Sequence, residues 1–69
     1  MPTPQEIISG LSHSMRKTYR DLMSNAAKIK GVLVWSGNPK DYELEIINPL
    51  DLTNEQFMQG KVVLFDGRK

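Results

Sequence analysis

The chain has 69 residues, a net charge of +1 and no cysteine. A single domain of this length buries only about 60% of the surface that its unfolded chain exposes, so its stability is marginal. The lack of cysteine excludes disulfides and thiolate metal ligands, and one histidine cannot form a zinc site alone. Self-association is the remaining source of additional stability for a domain of this size.

Charge is distributed unevenly along the sequence. Residues 1–40 contain six Lys or Arg and two acidic residues, whereas residues 41–69 contain three and six. The two halves therefore have net charges of +4 and −3. We expect this asymmetry to reflect attraction within the molecule, between a basic helix and an acidic sheet edge.

The apolar segments are short. The first residues, MPTPQEIIS, lack the basic and apolar regions of a signal peptide. The longest apolar runs, VLVW and VVLF, have four residues each, whereas a membrane-spanning helix needs about 20. Binding of an amphipathic helix to a membrane surface is disfavoured because few cations lie outside one patch. We therefore expect a soluble, cytoplasmic protein without membrane contact.

The first predicted element is one long helix over residues 4–30. Thr3 and Glu6 form a capping box, and Pro4 occupies the first helical position, where its missing N–H costs nothing. Gly31 follows as a stop signal. An apolar stripe recurs every seven residues, at Ile8, Met15, Leu22 and Ile29.

The length of this helix is a geometric problem. Twenty-seven residues make a rod of roughly 40 Å, whereas a globule of this size is roughly 28 Å across. Either the helix breaks near Gly10, or a second subunit covers the overhang. The seven-residue repeat favours a homodimer, although Thr18 and Asn25 occupy seam positions where leucine is expected.

Three strands follow the helix. Residues 32–36 and 42–46 flank the turn-rich segment SGNPKD and predict a hairpin. A second capping box at residues 53–56 predicts a short helix, and residues 61–66 predict a last strand, apolar on both faces and therefore central. The sequence thus predicts a single α+β domain over residues 1–69, with a long N-terminal helix on a three-stranded, mainly antiparallel sheet (α-β-β-short α-β).

The sheet face away from the helix is not fully polar. Ile47, one residue of the pair Val34 and Trp35, and one of the pair Val63 and Phe65 are expected to emerge there. An apolar cluster of this kind on so small a domain is typical of a contact surface.

The segment HSMRKTYR, residues 13–20, carries four potentially cationic side chains. His13, Arg16, Lys17 and Arg20 lie opposite the apolar stripe on a helical wheel. A face selected for solubility alone would mix both signs. Three interpretations stay open: a solvated helix face, a contact with a protein partner or an internal acidic strand, and a nucleic-acid contact.

The sequence predicts no catalytic, cofactor-binding or metal-binding residue. His13 has Ser12 and Ser14 as immediate neighbours, and these point away from it on a helix. Glu43 and Glu45 share a strand face about 7 Å apart, but a chain of this length has little room for a dry cleft around them. No glycine spacing of a nucleotide-binding loop occurs. We therefore expect a protein that is not an enzyme.

The leading hypothesis is a non-enzymatic interaction module, an inhibitor or adaptor that docks on a larger protein and self-associates. Small regulatory subunits and phage-encoded inhibitors often have this size, which is an analogy only. The alternative is nucleic-acid binding through His13, Arg16, Lys17 and Arg20. The predicted partner-binding residues are Met15, Arg16, Lys17, Tyr19, Arg20, Leu22, Met23, Trp35, Ile47 and Phe65.

Overall fold

Two helices, a β-hairpin, a short helical connection and a third strand follow one another in the computed structural model, which describes residues 2–68. The elements are α1 (Pro4–Ser9), α2 (His13–Ile29), β1 (Val32–Asn38), β2 (Asp41–Ile47), a 3-10 helix (Pro49–Thr53), α3 (Glu55–Met58) and β3 (Lys61–Asp66). The predicted α+β class and the predicted order of elements are confirmed.

The three strands form one antiparallel sheet in the order β2-β1-β3. Strand β1 is central, and its residues 32–35 are all buried. The prediction that the last strand is central was wrong. Strand β3 lies at an edge, and it is apolar on both faces because helical segments cover the sheet from both sides.

Helices cover both faces of the sheet. On one face, Ile7 of α1 packs with Trp35 of β1 and Val62 of β3. On the opposite face, Val32, Val34 and Ile47 form a second cluster, against which Leu52, Phe57, Met58 and Val63 pack. The apolar second face that the sequence predicted as a contact surface is therefore covered within the monomer.

The prediction of one continuous helix over residues 4–30 was wrong, because the helix is interrupted after Ser9. The alternative, a break near Gly10, is confirmed. Ser12 is extended and its hydroxyl accepts a bond from the Met15 N–H at 3.3 Å, so that it caps a new helix. Leu11, between the two helices, is buried. Gly10 has an ordinary φ of −86°, so the break depends on the Ser12 cap and the buried Leu11.

The interruption removes the mismatch in length. Helix α2 has 17 residues, which correspond to about 26 Å. The described chain measures 30 × 26 × 16 Å along its principal axes. Helix α2 therefore fits within the described chain, and the overhang that favoured a second subunit does not exist.

Candidate functional site

Four basic side chains of α2 line one depression on the protein surface. We call His13, Arg16, Lys17 and Arg20 the basic cluster; the depression that they line has a volume of about 330 Å³. All four residues are exposed. The prediction that these side chains share one face of a helix is confirmed.

The basic cluster faces outward because the opposite side of α2 packs on the sheet. Ala26 is buried, and the half-buried Met15, Tyr19, Leu22 and Met23 share its side of the helix. Burial raises the pKa of the Tyr19 hydroxyl above its usual value. The apolar side chains that the sequence assigned to a partner therefore pack inward and offer only part of their surface.

The other predicted partner contacts lie in the core or near it. Trp35 is 3% exposed and Ile47 is 7% exposed, in different clusters on the two faces of the sheet. Phe65 is half-buried. Ile29, which the sequence placed on the apolar stripe, is 68% exposed because it lies at the last position of α2. Of the predicted contacts, the three cations of the basic cluster are the most accessible.

No ion pair among residues 2–68 connects the basic helix to an acidic sheet edge. The ion pairs among residues 2–68 are Lys61–Glu45 at 3.1 Å and Arg68–Asp66 at 2.7 Å, and both lie in the second half of the chain. No carboxylate in that range forms an ion pair with the basic cluster. Its cations are therefore available to an external anion.

Arg16 has a second role within the fold. Its Nε donates to the Leu11 carbonyl at 3.3 Å, and Nη2 donates to the Ser9 carbonyl at 3.2 Å. These carbonyls follow the last turn of α1, where a cation is favourable for the helix dipole. Arg16 is therefore fixed at the junction of α1 and α2, with Lys17 and Arg20 following on the next turn.

The position of the cluster on α2 is unfavourable for helix stability. The first turn of α2 contains no acidic residue, although acids are favoured at that end by about 0.3–1 kcal/mol each. Arg16 and Arg20 are also like-charged neighbours at a spacing of four residues. The arrangement concentrates positive potential at the amino end of the helix, where an anion would be stabilised.

A second hollow, which the sequence did not predict, lies between α1 and the β1–β2 hairpin. We call it the aromatic pocket; it has a volume of about 170 Å³. Its walls include Glu6, Ile7, Leu11, Trp35, Pro39 and Tyr42. These residues come from distant parts of the chain, so only the packing of α1 on the hairpin brings them together.

Two glutamates of β2 differ in their surroundings. Glu45 pairs with Lys61, whose Nζ lies 3.6 Å above the Phe57 ring, and Glu43 is exposed. Within residues 2–68, no group of three His, Cys, Asp or Glu side chains could hold a metal ion. In the same range, no helix is both long and apolar enough to cross a membrane.

Comparisons of the chain with protein families, curated proteins and solved structures gave no match.

Proposed function

We propose that this protein is a non-enzymatic interaction module that docks on an acidic surface of a larger protein through the basic cluster. One observation carries the proposal: four exposed basic side chains line a single depression, and no carboxylate of residues 2–68 forms an ion pair with them. A surface selected only for solubility would place acids among these cations.

The strength of such a contact follows from its exposure. Each exposed ion pair contributes about 0.2–1 kcal/mol, so three or four pairs alone give modest affinity. Complementary charge acts more strongly on the association rate and on the choice of partner. The mechanism is surface occupancy: the module covers an acidic patch and thereby inhibits or recruits the partner.

Two further properties belong to the proposal. Self-association would add stability to a small core. Because the helix overhang that favoured a dimer does not exist, we propose that the module also acts as a monomer. A cytoplasmic location fits a chain without cysteine. Sedimentation at micromolar concentration tests the oligomeric state, and fractionation of the cells that produce the protein tests its location.

The experiment is an NMR titration of the isotope-labelled protein with an oligoglutamate peptide. We expect amide shifts concentrated in residues 13–20, and binding that weakens at least about 5-fold between 50 and 200 mM salt. A Lys17→Gln/Arg20→Gln double variant should lose most of the affinity. The matched control, Lys28→Gln/Lys40→Gln, removes the same charge elsewhere and should change affinity less than about 2-fold. Equal losses in both variants would show only a general charge effect and contradict the proposal.

The second candidate function is nucleic-acid binding through the same cluster. The exposed row of Arg16, Lys17 and Arg20 along one helix face favours it. Three phosphate contacts predict a slope, in a plot of log affinity against log salt concentration, of about −2.7 for a duplex and about −2.1 for a single strand. The same titration with single- and double-stranded oligonucleotides separates the two functions. Nucleic acid is the ligand if an oligonucleotide of equal charge binds more tightly than oligoglutamate and the Lys17→Gln/Arg20→Gln variant loses most of that binding.

A further inference from the structure

Two aromatic rings and one carboxylate line the aromatic pocket. The rings of Trp35 and Tyr42 lie 6.1 Å apart between centroids, with their planes tilted by 33°. Among residues 2–68, Glu6 is the one charged residue on the walls. Pro39 adds an apolar, rigid surface from the hairpin turn, so the pocket has an aromatic and apolar lining with a single negative charge at its rim.

The Glu6 carboxylate has no partner of its own among residues 2–68. Its backbone N–H donates to the Thr3 hydroxyl at 3.2 Å, which caps α1, but no side-chain hydrogen bond or ion pair of Glu6 occurs in that range. Glu6 is exposed. The carboxylate is therefore solvated, and it can pair with a cation that enters the pocket.

We propose that the aromatic pocket binds an alkylated ammonium cation. The ring of the half-buried Tyr42 attracts a cation through its quadrupole, whereas Trp35, which is 3% exposed, adds only a small part of its surface. Quaternary ammonium groups are the ligands that aromatic sites of this kind recognise. Methyl groups suit the apolar walls, whereas a metal ion or bare ammonium would lose more hydration than one carboxylate can replace. A volume of about 170 Å³ fits a small head group, since sites for drug-sized ligands have about 300–1,000 Å³.

The proposal goes beyond the proposed function, because the pocket and the basic cluster have no lining residue in common. Among the cations of the basic cluster, Arg16 lies beside the aromatic pocket. Its guanidinium donates to the Ser9 and Leu11 carbonyls instead of lining the hollow. The cation site therefore depends on Glu6 and the two rings, and it can fail or succeed independently of the basic cluster.

The test compares choline with 3,3-dimethylbutan-1-ol, which has the same shape but carbon in place of the charged nitrogen. Trp35 is the single tryptophan, so its fluorescence and its indole N–H signal report directly on the pocket. Each compound is titrated to tens of millimolar, with sodium chloride adjusted to hold the ionic strength constant. We expect saturable binding of choline, at least about 5-fold tighter than that of the alcohol.

Two variants with the same charge change complete the test. Glu6→Gln should weaken choline binding at least about 3-fold and leave only the attraction of the aromatic ring, whereas Glu55→Gln, an exposed acid on α3, should leave it within about 2-fold. Tyr42→Leu keeps an apolar wall and should weaken choline more than the alcohol. Equal affinities for the two compounds, unchanged binding in the Glu6→Gln variant, or no saturable response to choline would each overturn the proposal. Circular dichroism verifies that every variant is folded.

Discussion

The Arg16 guanidinium connects its own helix to the end of the preceding one, since its Nε lies 3.3 Å from the Leu11 carbonyl oxygen. The neighbouring bond from Nη2 to the Ser9 carbonyl, at 3.2 Å, strengthens this link. A residue that the sequence assigned only to partner binding thus also stabilises the break between α1 and α2. Its removal affects folding as well as binding, which is why the binding test uses Lys17 and Arg20.

Substitution of Arg16 should destabilise the protein. We expect Arg16→Ala to lower the free energy of unfolding by about 1 kcal/mol, because two hydrogen bonds to carbonyls are lost and both are partly or fully exposed to water. Lys17→Ala removes the same charge from the adjacent position and should change stability by less than about 0.5 kcal/mol. Urea unfolding followed by circular dichroism measures both values.

A result in which Lys17→Ala and Arg16→Ala cost the same would show that Arg16 acts only through its charge. Arg16→Lys provides a further check, since lysine keeps the charge but cannot direct two donors to both carbonyls. It should therefore lose a measurable part of the stability that Arg16 provides.

The last turn of the chain requires a glycine at position 67. The Gly67 N–H donates to the Gly31 carbonyl at 2.8 Å, and a Cβ built on Gly67 would lie 2.4 Å from the Ala26 oxygen and 2.5 Å from the Gly31 oxygen. Gly67→Ala should therefore lower the free energy of unfolding by about 1–3 kcal/mol, or displace the terminus and lose the hydrogen bond. Thermal unfolding and amide exchange at position 67 distinguish these two responses.

Gly10→Ala is the matched control for this prediction. A Cβ on Gly10 would lie 3.4 Å from the Glu6 oxygen, and its φ of −86° suits any residue. We expect a change within about 0.5 kcal/mol. Similar losses at both positions would indicate that glycine flexibility, and not the close approach to α2, sets the cost at Gly67.

The fold class was predictable because the local patterns agree with the final architecture. The alternation of Tyr42, Leu44 and Ile46 predicts β2, and the seven-residue apolar repeat predicts the buried side of α2. The length mismatch indicated a break near Gly10 as one alternative. The apolar repeat did not decide between a break and a second subunit, because α1 and α2 both turn apolar residues toward the sheet and the repeat stays in phase across the break. The local signal was Ser12, a good N-cap residue three positions before Met15.

The candidate sites differ in how far sequence could predict them. The basic cluster is local, since a helical wheel over residues 13–20 is sufficient to place its four side chains together. The aromatic pocket depends on the packing of α1 against the hairpin, which places Glu6 and the rings of Trp35 and Tyr42 around one hollow. No pattern within one segment indicates such a contact, because it arises only after α1 has turned away from α2 and packed on the sheet.

The charged group on the second sheet face should contribute modestly to stability. The Lys61 Nζ lies 3.1 Å from a Glu45 carboxylate oxygen and 3.6 Å from the centroid of the Phe57 ring. Because the Glu45 side chain is 44% exposed, a double-mutant cycle with Lys61→Met and Glu45→Gln should give a coupling of about 0.5–1 kcal/mol. The coupling should shrink in 1 M salt. Coupling indistinguishable from zero at low salt would show that Lys61 acts through the ring and its own burial alone.

Tyr19 should make stability dependent on pH in the alkaline range. Burial against the sheet raises the pKa of its hydroxyl above the ordinary value of 10.0. Between the pKa of Tyr19 in the unfolded chain and its pKa in the folded protein, the folded protein holds a proton that the unfolded chain has lost. The free energy of unfolding therefore falls as pH rises from about 10 through the folded pKa. The slope is at most about 1.4 kcal/mol per pH unit. Below pH 10 this residue gives no pH dependence.

In Tyr19→Phe this part of the decline should disappear. Urea unfolding of both proteins from pH 7 to 11 measures the difference, and stability curves that stay parallel above pH 10 would mean that Tyr19 ionises with the same pKa in the folded and unfolded states.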